Sequence, residues 1–326
     1  MFWMNERYDV KFRCEIMKDS ENSQNPTLIL NQYNSDKFFD FNYSDDLKEV
    51  LRVLNKGKDV GIVHSDKLIE LPNRGRLIAV SDLHGNLKDY NAYLDLWDEN
   101  DPDFHIVFMG DLIHAMDFED NSIEILDDVI EKSKKYPNFH CILGNHEHSH
   151  IINKNISKNG KYLIEDFENL IAYKKGHIEP HITEYINFFK TMPYFVKTDN
   201  GIFISHAGPS RNIHSIEDFN NIFKNDYFDE TLENFLWNRY NGNRKHSLLS
   251  SSGDYGSEDI DNFLDCLGLN VMVVGHTPIN KEGFKIIGRQ MILSSSFYTD
   301  NKKYLDIDLS KRIESMNDLK GFLKEL

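Results

Sequence analysis

Cysteine is scarce in this sequence, and long apolar runs are missing. The 326 residues contain three cysteines, Cys14, Cys141 and Cys266, which lie far apart and form no Cys-x-x-Cys pair. This pattern argues against a disulfide framework and against a structural zinc site, and it indicates a reducing compartment. No run approaches the roughly 18 apolar residues that a membrane-spanning helix needs.

Positive charge is also in deficit. Lys and Arg total 37 against 53 Asp and Glu, which gives a net charge of −16. An acidic surface disfavours nonspecific binding to nucleic acid, but bound dications could still attract an anionic substrate. The first residues, 1–8, include acidic and polar side chains where a signal peptide would be apolar. We therefore expect a cytoplasmic protein with no membrane partner.

Short apolar runs alternate with helical patterns from residue 76 onward. The runs cover residues 77–80, 106–109, 141–143, 202–204, 271–274 and 291–293. Runs this short and continuous are typical of strands buried on both faces. Helical spacing of apolar residues in 123–130 and 185–189 places helices between them, which predicts an α/β fold. Residues 1–75 are predicted to form an N-terminal extension or small subdomain, and 76–326 the main domain.

Metal-binding side chains directly follow five of these runs. The segments are Ser81–Asn86, Gly110–Asp111, Gly144–Glu147, Ser205–Gly208 and Gly275–Pro278. Their candidate metal ligands are Asp82, His84, Asp111, Asn145, His206 and His276. Ligands of α/β folds lie beyond the carboxyl ends of the strands, so the five segments are expected to converge.

Such a set of side chains suits the hydrolysis of phosphate esters. Two dications about 3.5–4 Å apart can supply a hydroxide nucleophile and neutralise the phosphoryl oxygens. A mixed set of oxygen and nitrogen ligands suits manganese, iron or zinc better than magnesium or calcium. Metals this close need a bridging carboxylate, and Asp111 lies between the earlier and later ligands. Asp82 and His84 lie on one turn and can reach the same metal.

These segments resemble the calcineurin-like metallophosphoesterase superfamily. More narrowly, they resemble its phosphoprotein phosphatase branch and the bacterial diadenosine tetraphosphatases, over residues 76–309. The resemblance implies a four-layer α/β/β/α sandwich with the site at the C-terminal ends of the strands. It also implies a catalytic domain over 76–326 and two divalent transition metal ions, with manganese the first candidate and iron or zinc the alternatives.

The resemblance also gives each segment a role. Asp82 and His84 would bind the first metal, Asp111 would bridge, and Asn145, His206 and His276 would bind the second. His146 would assist the leaving-group oxygen during attack by a metal-bridging hydroxide. Arg239, in the sequence Trp237-Asn-Arg, resembles a phosphate-binding element of bacterial members. The arginine fork suits this role because it matches two phosphate oxygens at once.

Two features bear on the branch and on the substrate. The segment Gly275–Pro278 reads Gly-His-Thr-Pro and lacks the second histidine of nuclease-like and cyclic-nucleotide diesterase members. The branch usually continues its second segment as Gly-Asp-x-Val-Asp-Arg-Gly, whereas here His114 and Ala115 replace the later Asp and Arg. The carboxylate that would orient His146 and one phosphate contact are therefore missing. Asp117 is a candidate replacement for that carboxylate.

The sequence thus predicts a metal-dependent phosphomonoesterase of the protein Ser/Thr phosphatase kind, acting on a phosphorylated protein or a small phosphate ester. The alternative is a nucleotide hydrolase like the diadenosine tetraphosphatases, because the altered second segment lies where the two groups diverge. An inactive protein-binding scaffold is a third hypothesis, which the complete ligand set disfavours. His148 and His150 could extend the metal cluster, but we expect them to be exposed on a helix.

Overall fold

The computed structural model describes residues 63–65, 67–115, 119–158, 160–242, 254–296 and 300–326. Most of the predicted N-terminal extension and Asp117 lie outside these ranges. The strands are β1 (Val63–Ser65), β2 (Leu68–Leu71), β3 (Arg76–Val80), β4 (Phe104–Phe108), β5 (Phe139–Cys141), β6 (Ser157–Lys158), β7 (Lys161–Tyr162), β8 (Phe195–Thr198), β9 (Ile202–Ser205), β10 (Arg239–Tyr240), β11 (Asp254–Tyr255), β12 (Val271–Val274), β13 (Phe284–Ile287), β14 (Gln290–Leu293), β15 (Lys303–Asp308) and β16 (Leu323–Glu325). The helices are α1 (Leu87–Leu94), α2 (Ser122–Lys135), α3 (Asn145–Ile151), α4 (Leu163–Lys175), α5 (His181–Thr191), α6 (Ile216–Asn221), α7 (Glu230–Trp237), α8 (Ser257–Leu267) and α9 (Met316–Lys320).

One sheet has five strands in the order β16-β15-β3-β4-β5. Strands β3, β4 and β5 are parallel neighbours, and their register pairs Val80 with Phe108 and Phe108 with Cys141. The carboxyl ends of these three strands are therefore level with one another. The first three metal-ligand segments follow these strands and start from the same edge of the sheet.

The other sheet has seven strands in the order β1-β2-β8-β9-β12-β14-β13. Strands β9 and β12 are parallel neighbours, with Ile204 opposite Val273, and they lead into the last two metal-ligand segments. Strand β2 pairs in parallel with β8, so residues 68–71 belong to this sheet although they precede the expected boundary at residue 75. The division of the chain at that boundary stays a prediction.

Alternate residues of the central strands face two different cores. Leu77 and Ala79 of β3 pack in an apolar cluster with residues of both sheets, including Val273 of β12. Ile78 and its neighbour Val80 point the other way and pack with residues of the helices. Burial on both faces explains why the strand sequences are continuously apolar. Two sheets with helices on their outer faces confirm the predicted four-layer α/β/β/α sandwich.

The predicted elements between the segments are also confirmed. All six apolar runs end in or contain strands of the two sheets, although β5 ends at Cys141 and the rest of its run enters the following loop. The helical patterns at 123–130 and 185–189 lie in α2 and α5. Cys141 and Cys266 are both free thiols. Within the described ranges, no helix has the length and apolar character needed to cross a membrane.

Candidate metal centre

The metal-ligand segments of both sheets meet at one edge of the sandwich. Within the five-stranded sheet, the backbone N–H of His84 donates to the carbonyl of Asp111 at 2.9 Å. Between the sheets, the backbone N–H of His276 donates to Oδ1 of Asp82 at 3.1 Å. All six predicted ligands are buried. The structure therefore brings together side chains from five segments that are up to about two hundred residues apart.

One carboxylate oxygen lies at the middle of this group. Oδ2 of Asp111 is 3.4 Å from Nε2 of His206, 3.7 Å from Nε2 of His84 and 3.8 Å from Nε2 of His146. The other oxygen, Oδ1, accepts a hydrogen bond from the backbone N–H of His146 at 3.0 Å. Asp111 is thus held through one oxygen while the other faces three imidazoles. This is the geometry that a bridging ligand needs.

The protonation of His206 shows what this site can hold. Nδ1 of His206 lies 2.8 Å from the carbonyl oxygen of Met109, which can only accept, so Nδ1 carries the proton. Burial lowers the pKa of His206, and the ring therefore keeps a single proton at neutral pH. Its bare Nε2 then faces Oδ2 of Asp111 and, at 3.0 Å, Oδ1 of Asn145. Lone pairs of three buried acceptors converge, and a cation satisfies them all.

His84 is oriented in the same way. Its Nδ1 lies 3.1 Å from the carbonyl oxygen of Ile113, which directs Nε2 towards Oδ2 of Asp111. Metal–ligand bonds of about 2.1 Å place neighbouring ligand atoms about 3.0–4.2 Å apart. The separations around Asp111 are of this size, so the residues fit a transition metal.

Two overlapping groups of ligand atoms share Asp111. One consists of His84, Asp111 and His146, and the other of Asp111, His206 and His276, with the ligand atoms of each within 4.8 Å of one another. Oδ1 of Asn145 adjoins the second group, because Nδ1 of His276 lies 2.9 Å from it. Two groups with a shared carboxylate match the arrangement that the sequence predicts for a two-metal site.

Asp82 lies outside both groups. Its Oδ1 is occupied by the backbone N–H of His276 and is 3.9 Å from Nδ1 of His206. His146 takes the place in the first group that the sequence assigned to Asp82. The ligand role of Asp82 therefore stays a prediction that would rest on Oδ2, its second carboxylate oxygen.

Backbone strain is concentrated at this site. Among described residues other than glycine, positive φ angles occur at His84 (48°), Asp111 (51°), His114 (71°), His276 (62°) and, away from the site, Asn153 (53°). Each such residue costs about 1–3 kcal/mol and persists only where its surroundings enforce it. The turns that carry the ligands are therefore held in place by the rest of the fold.

Two glycines allow the second and third segments to touch. Gly110 has a φ of 88°, and a Cβ atom there would lie 2.5 Å from Cα of Gly144. A Cβ atom on Gly144 would lie 2.3 Å from the backbone nitrogen of Asp111. The backbone of one segment thus packs directly on that of the other, as the sequence predicts for Gly110.

Glu147 supports these two segments from below, and the sequence gave no role to it. Its fully buried carboxylate accepts backbone hydrogen bonds from Asp111 at 2.9 Å, Leu112 at 2.7 Å and Gly144 at 3.2 Å. Burial raises the pKa of Glu147, and the three N–H groups oppose that change. A charged residue directly after two candidate site residues was the available signal.

The structure places His114 against His146. The two Nδ1 atoms are 2.8 Å apart, so one ring donates to the other. The backbone N–H of His114 donates to Oγ of Ser122 at 2.9 Å, which fixes the turn that carries the ring. His114 therefore occupies the place of the orienting partner of His146, where the related sequences have a carboxylate.

Arg239 lies beside the second group of ligands. Its Nε donates to Nε2 of His276 at 3.3 Å, and the side chain is otherwise exposed. Burial lowers the pKa of His276 well below its usual value, and the charges of His206 and Arg239 act in the same direction. The structure thus puts a cation at the edge of the site, as expected for a phosphate contact.

The expectation that His148 and His150 are exposed is wrong. Their relative exposures are 0% and 4%, because the short helix α3 packs between α5 and α7. Nε2 of His148 lies 2.7 Å from the carbonyl oxygen of Tyr227, and Nδ1 accepts from Trp237 at 3.3 Å. Neither histidine belongs to the two ligand groups. The sequence could not show this, since helix α3 is buried by elements that follow it.

The fold and the site together define a two-sheet α/β protein that gathers metal ligands at one sheet edge. The model of the calcineurin-like phosphoesterase family matches residues 75–280, which is more than half of the chain. The chain belongs to the calcineurin-like phosphoesterase family, whose members use divalent metals. The resemblance seen in the sequence is thereby confirmed.

Solved structures show the same fold at low sequence identity. A protein serine/threonine phosphatase from Saccharomyces cerevisiae is 17% identical with a TM-score of 0.61, over 82% of this chain and 83% of that one. A cold-active protein-tyrosine phosphatase of a psychrophilic Shewanella species is 14% identical with a TM-score of 0.48, over 82% and 84%. A putative diadenosine tetraphosphatase is 16% identical with a TM-score of 0.42, over 74% and 93%. No curated protein matches the chain.

We predict that Glu147→Ala lowers the free energy of unfolding by about 3 kcal/mol or more, because three backbone N–H groups lose their buried acceptor. Urea denaturation followed by circular dichroism measures this change. The matched control is Glu165→Ala, which removes an exposed carboxylate from α4 and should leave the unfolding midpoint almost unchanged. Equal midpoints for the two variants would contradict the supporting role of Glu147.

Proposed function

We propose that the protein is a metal-dependent phosphomonoesterase. The observation that carries this proposal is the convergence of bare imidazole nitrogens on Oδ2 of Asp111, with Nε2 of His146 at 3.8 Å from the same oxygen. Acceptors arranged in this way need cations, and the position of His146 suits a group that acts on a substrate held by those cations.

The residues that would hold two metals are those of the sequence prediction, Asp82, His84, Asp111, Asn145, His206 and His276. Manganese is the first candidate, and iron or zinc are alternatives, because imidazole nitrogens accompany carboxylate and amide oxygens. When bound, the two dications supply a nucleophile at neutral pH and neutralise the phosphoryl oxygens. The backbone carbonyls of Met109 and Ile113 keep the imidazoles of His206 and His84 turned towards the metals.

Two side chains of the site would act on the phosphate ester itself. His146 presents Nε2 to the space beside Asp111, where it can donate a hydrogen bond or a proton to the leaving oxygen. Arg239 brings a guanidinium to the mouth of the site, and its position beside His276 supports contact with non-bridging phosphate oxygens.

The proposed substrate is a phosphorylated serine or threonine in a protein, or a small phosphate monoester. Its support is the segment Gly275–Pro278, which has Pro278 where the diesterase members have a second histidine. Replacement of the usual Asp and Arg by His114 and Ala115 favours a second candidate, a hydrolase of dinucleoside polyphosphates. An inactive scaffold is the weakest candidate, because the ligand side chains remain together and buried.

A substrate panel tests this order of candidates. With Mn²⁺ added, we expect the full chain to hydrolyse p-nitrophenyl phosphate and phosphopeptides faster than bis-p-nitrophenyl phosphate or diadenosine tetraphosphate. Release of phosphate and nucleotides measures each rate. A marked preference for the dinucleotide would overturn the protein phosphatase proposal. Absence of bound metal, together with no activity after addition of Mn²⁺, would support the scaffold.

We predict that Asp111→Asn lowers phosphatase turnover by roughly 10³-fold or more, because the bridging charge is lost while Oδ1 can still accept from His146. Metal analysis should find fewer than two metals per chain. The control is Asp306→Asn, which removes a carboxylate from β15 that pairs with Arg76, at the opposite end of β3. Two metals retained by Asp111→Asn would exclude a bridging role.

We predict that His114→Ala lowers turnover while both metals remain bound. His114 contacts His146 and not the acceptors around Asp111, so the loss should fall on the leaving-group step. Parallel measurement of kcat and of metal content by mass spectrometry checks this result. Loss of both metals in this variant would make His114 a ligand and would overturn its assignment as the partner of His146.

A further inference from the structure

Three buried histidines form a chain that leads from the site into the protein core. Nδ1 of His146 lies 2.8 Å from Nδ1 of His114, and Nε2 of His114 lies 3.0 Å from Nε2 of His150. All three rings are buried. The last two contacts of the chain use both nitrogens of the middle ring, so the orientation of His114 is fixed from two sides.

The inner end of the chain is seated among aromatic rings. The ring of His150 lies 4.9 Å from that of Phe167 in α4 and 6.1 Å from that of Phe189 in α5. Phe167 also packs edge-on against His114, with ring centroids 5.6 Å apart. A polar ring in such surroundings is costly unless it makes a hydrogen bond, and for His150 that bond goes to His114.

Proton counting couples the three rings. Each N–H···N contact holds one proton, so three neutral rings place two protons in the chain and the third at one end. Burial lowers the pKa of His150 to about 4 and that of His114 well below its usual value, which keeps both rings neutral. Because each ring has one proton, the donor at one contact decides the donor at the next. The tautomer of His146 is therefore set together with that of His150.

We propose that His150 is a positioning residue for leaving-group chemistry, which acts through His114 to fix the orientation and tautomer of His146. This proposal rests on the proposed phosphomonoesterase function. It assigns to His150, at the far end of α3, a role in a step that it does not contact. It also explains why a polar side chain is retained in an aromatic pocket.

The test is a comparison of leaving groups in the full-length, metal-loaded enzyme. His150→Phe suits the aromatic pocket and removes the nitrogen that holds His114. We expect kcat for a poor alkoxide leaving group, as in a phosphoserine peptide or glycerol phosphate, to fall about tenfold or more with little change in KM. Hydrolysis of p-nitrophenyl phosphate, whose leaving group needs little assistance, should change by no more than about twofold.

Two further variants separate positioning from a structural effect. His150→Gln keeps a polar atom near the place of Nε2 and should recover most of the activity on the alkyl ester. His148→Phe alters a buried histidine of the same helix that bonds to Tyr227 instead, and any loss it causes should be equal for both substrates. The His150→Phe effect should disappear in a His146→Ala background, because residues that act in series are not additive.

Equal losses on both substrates, no loss, or an effect that persists without His146 would overturn the positioning role. Spectra of protein with ¹⁵N-labelled histidine provide a second readout that does not need turnover. We expect N–H···N signals of His146 and His114 in the parent protein and a shift of both in His150→Phe. An inactive parent protein with these signals would refute the phosphatase proposal but keep the chain, whereas unchanged signals in the variant would refute the chain.

Discussion

The carboxylate-bearing residue Asp111 joins the parts of the site to one another. Its backbone N–H donates to Glu147, its carbonyl accepts from the backbone of His84, and its Oδ1 accepts from the backbone of His146. Three of its four polar atoms are thus used to hold neighbouring segments. Only Oδ2 is directed towards the imidazoles, and a charged oxygen facing bare nitrogens is stable in the interior only with a cation.

This constraint explains where the fold stores strain. Asp111 and His84 adopt left-handed backbone conformations that cost free energy, and the contacts of Glu147 and of two apposed glycines hold the turns in those conformations. The strands contribute through register, because level carboxyl ends start the loops from one edge. The sandwich therefore serves as a rigid frame for ligand positions that the loops alone would not keep.

Much of this could be predicted from the sequence because its signals are local. Continuous apolar runs indicate strands buried on both faces, and a ligand-type residue directly after each run indicates a shared edge. The environment of helix α3 could not be predicted, since its burial depends on α5 and α7, which follow it in the chain. For the same reason His148 and His150 were expected to be exposed, and Asp82 was not expected to bind the backbone of His276.

The substitution at position 114 shows how one local change places a demand on another residue. A carboxylate beside His146 would only accept a hydrogen bond, and it would bring a negative charge into a buried place. An imidazole is neutral there, but it has two nitrogens, and burial leaves the second one without solvent. His150 satisfies that second nitrogen at 3.0 Å, and His114 can then turn its first towards His146. The two histidines are therefore best understood as a single unit, because His114 can orient His146 only while His150 holds it.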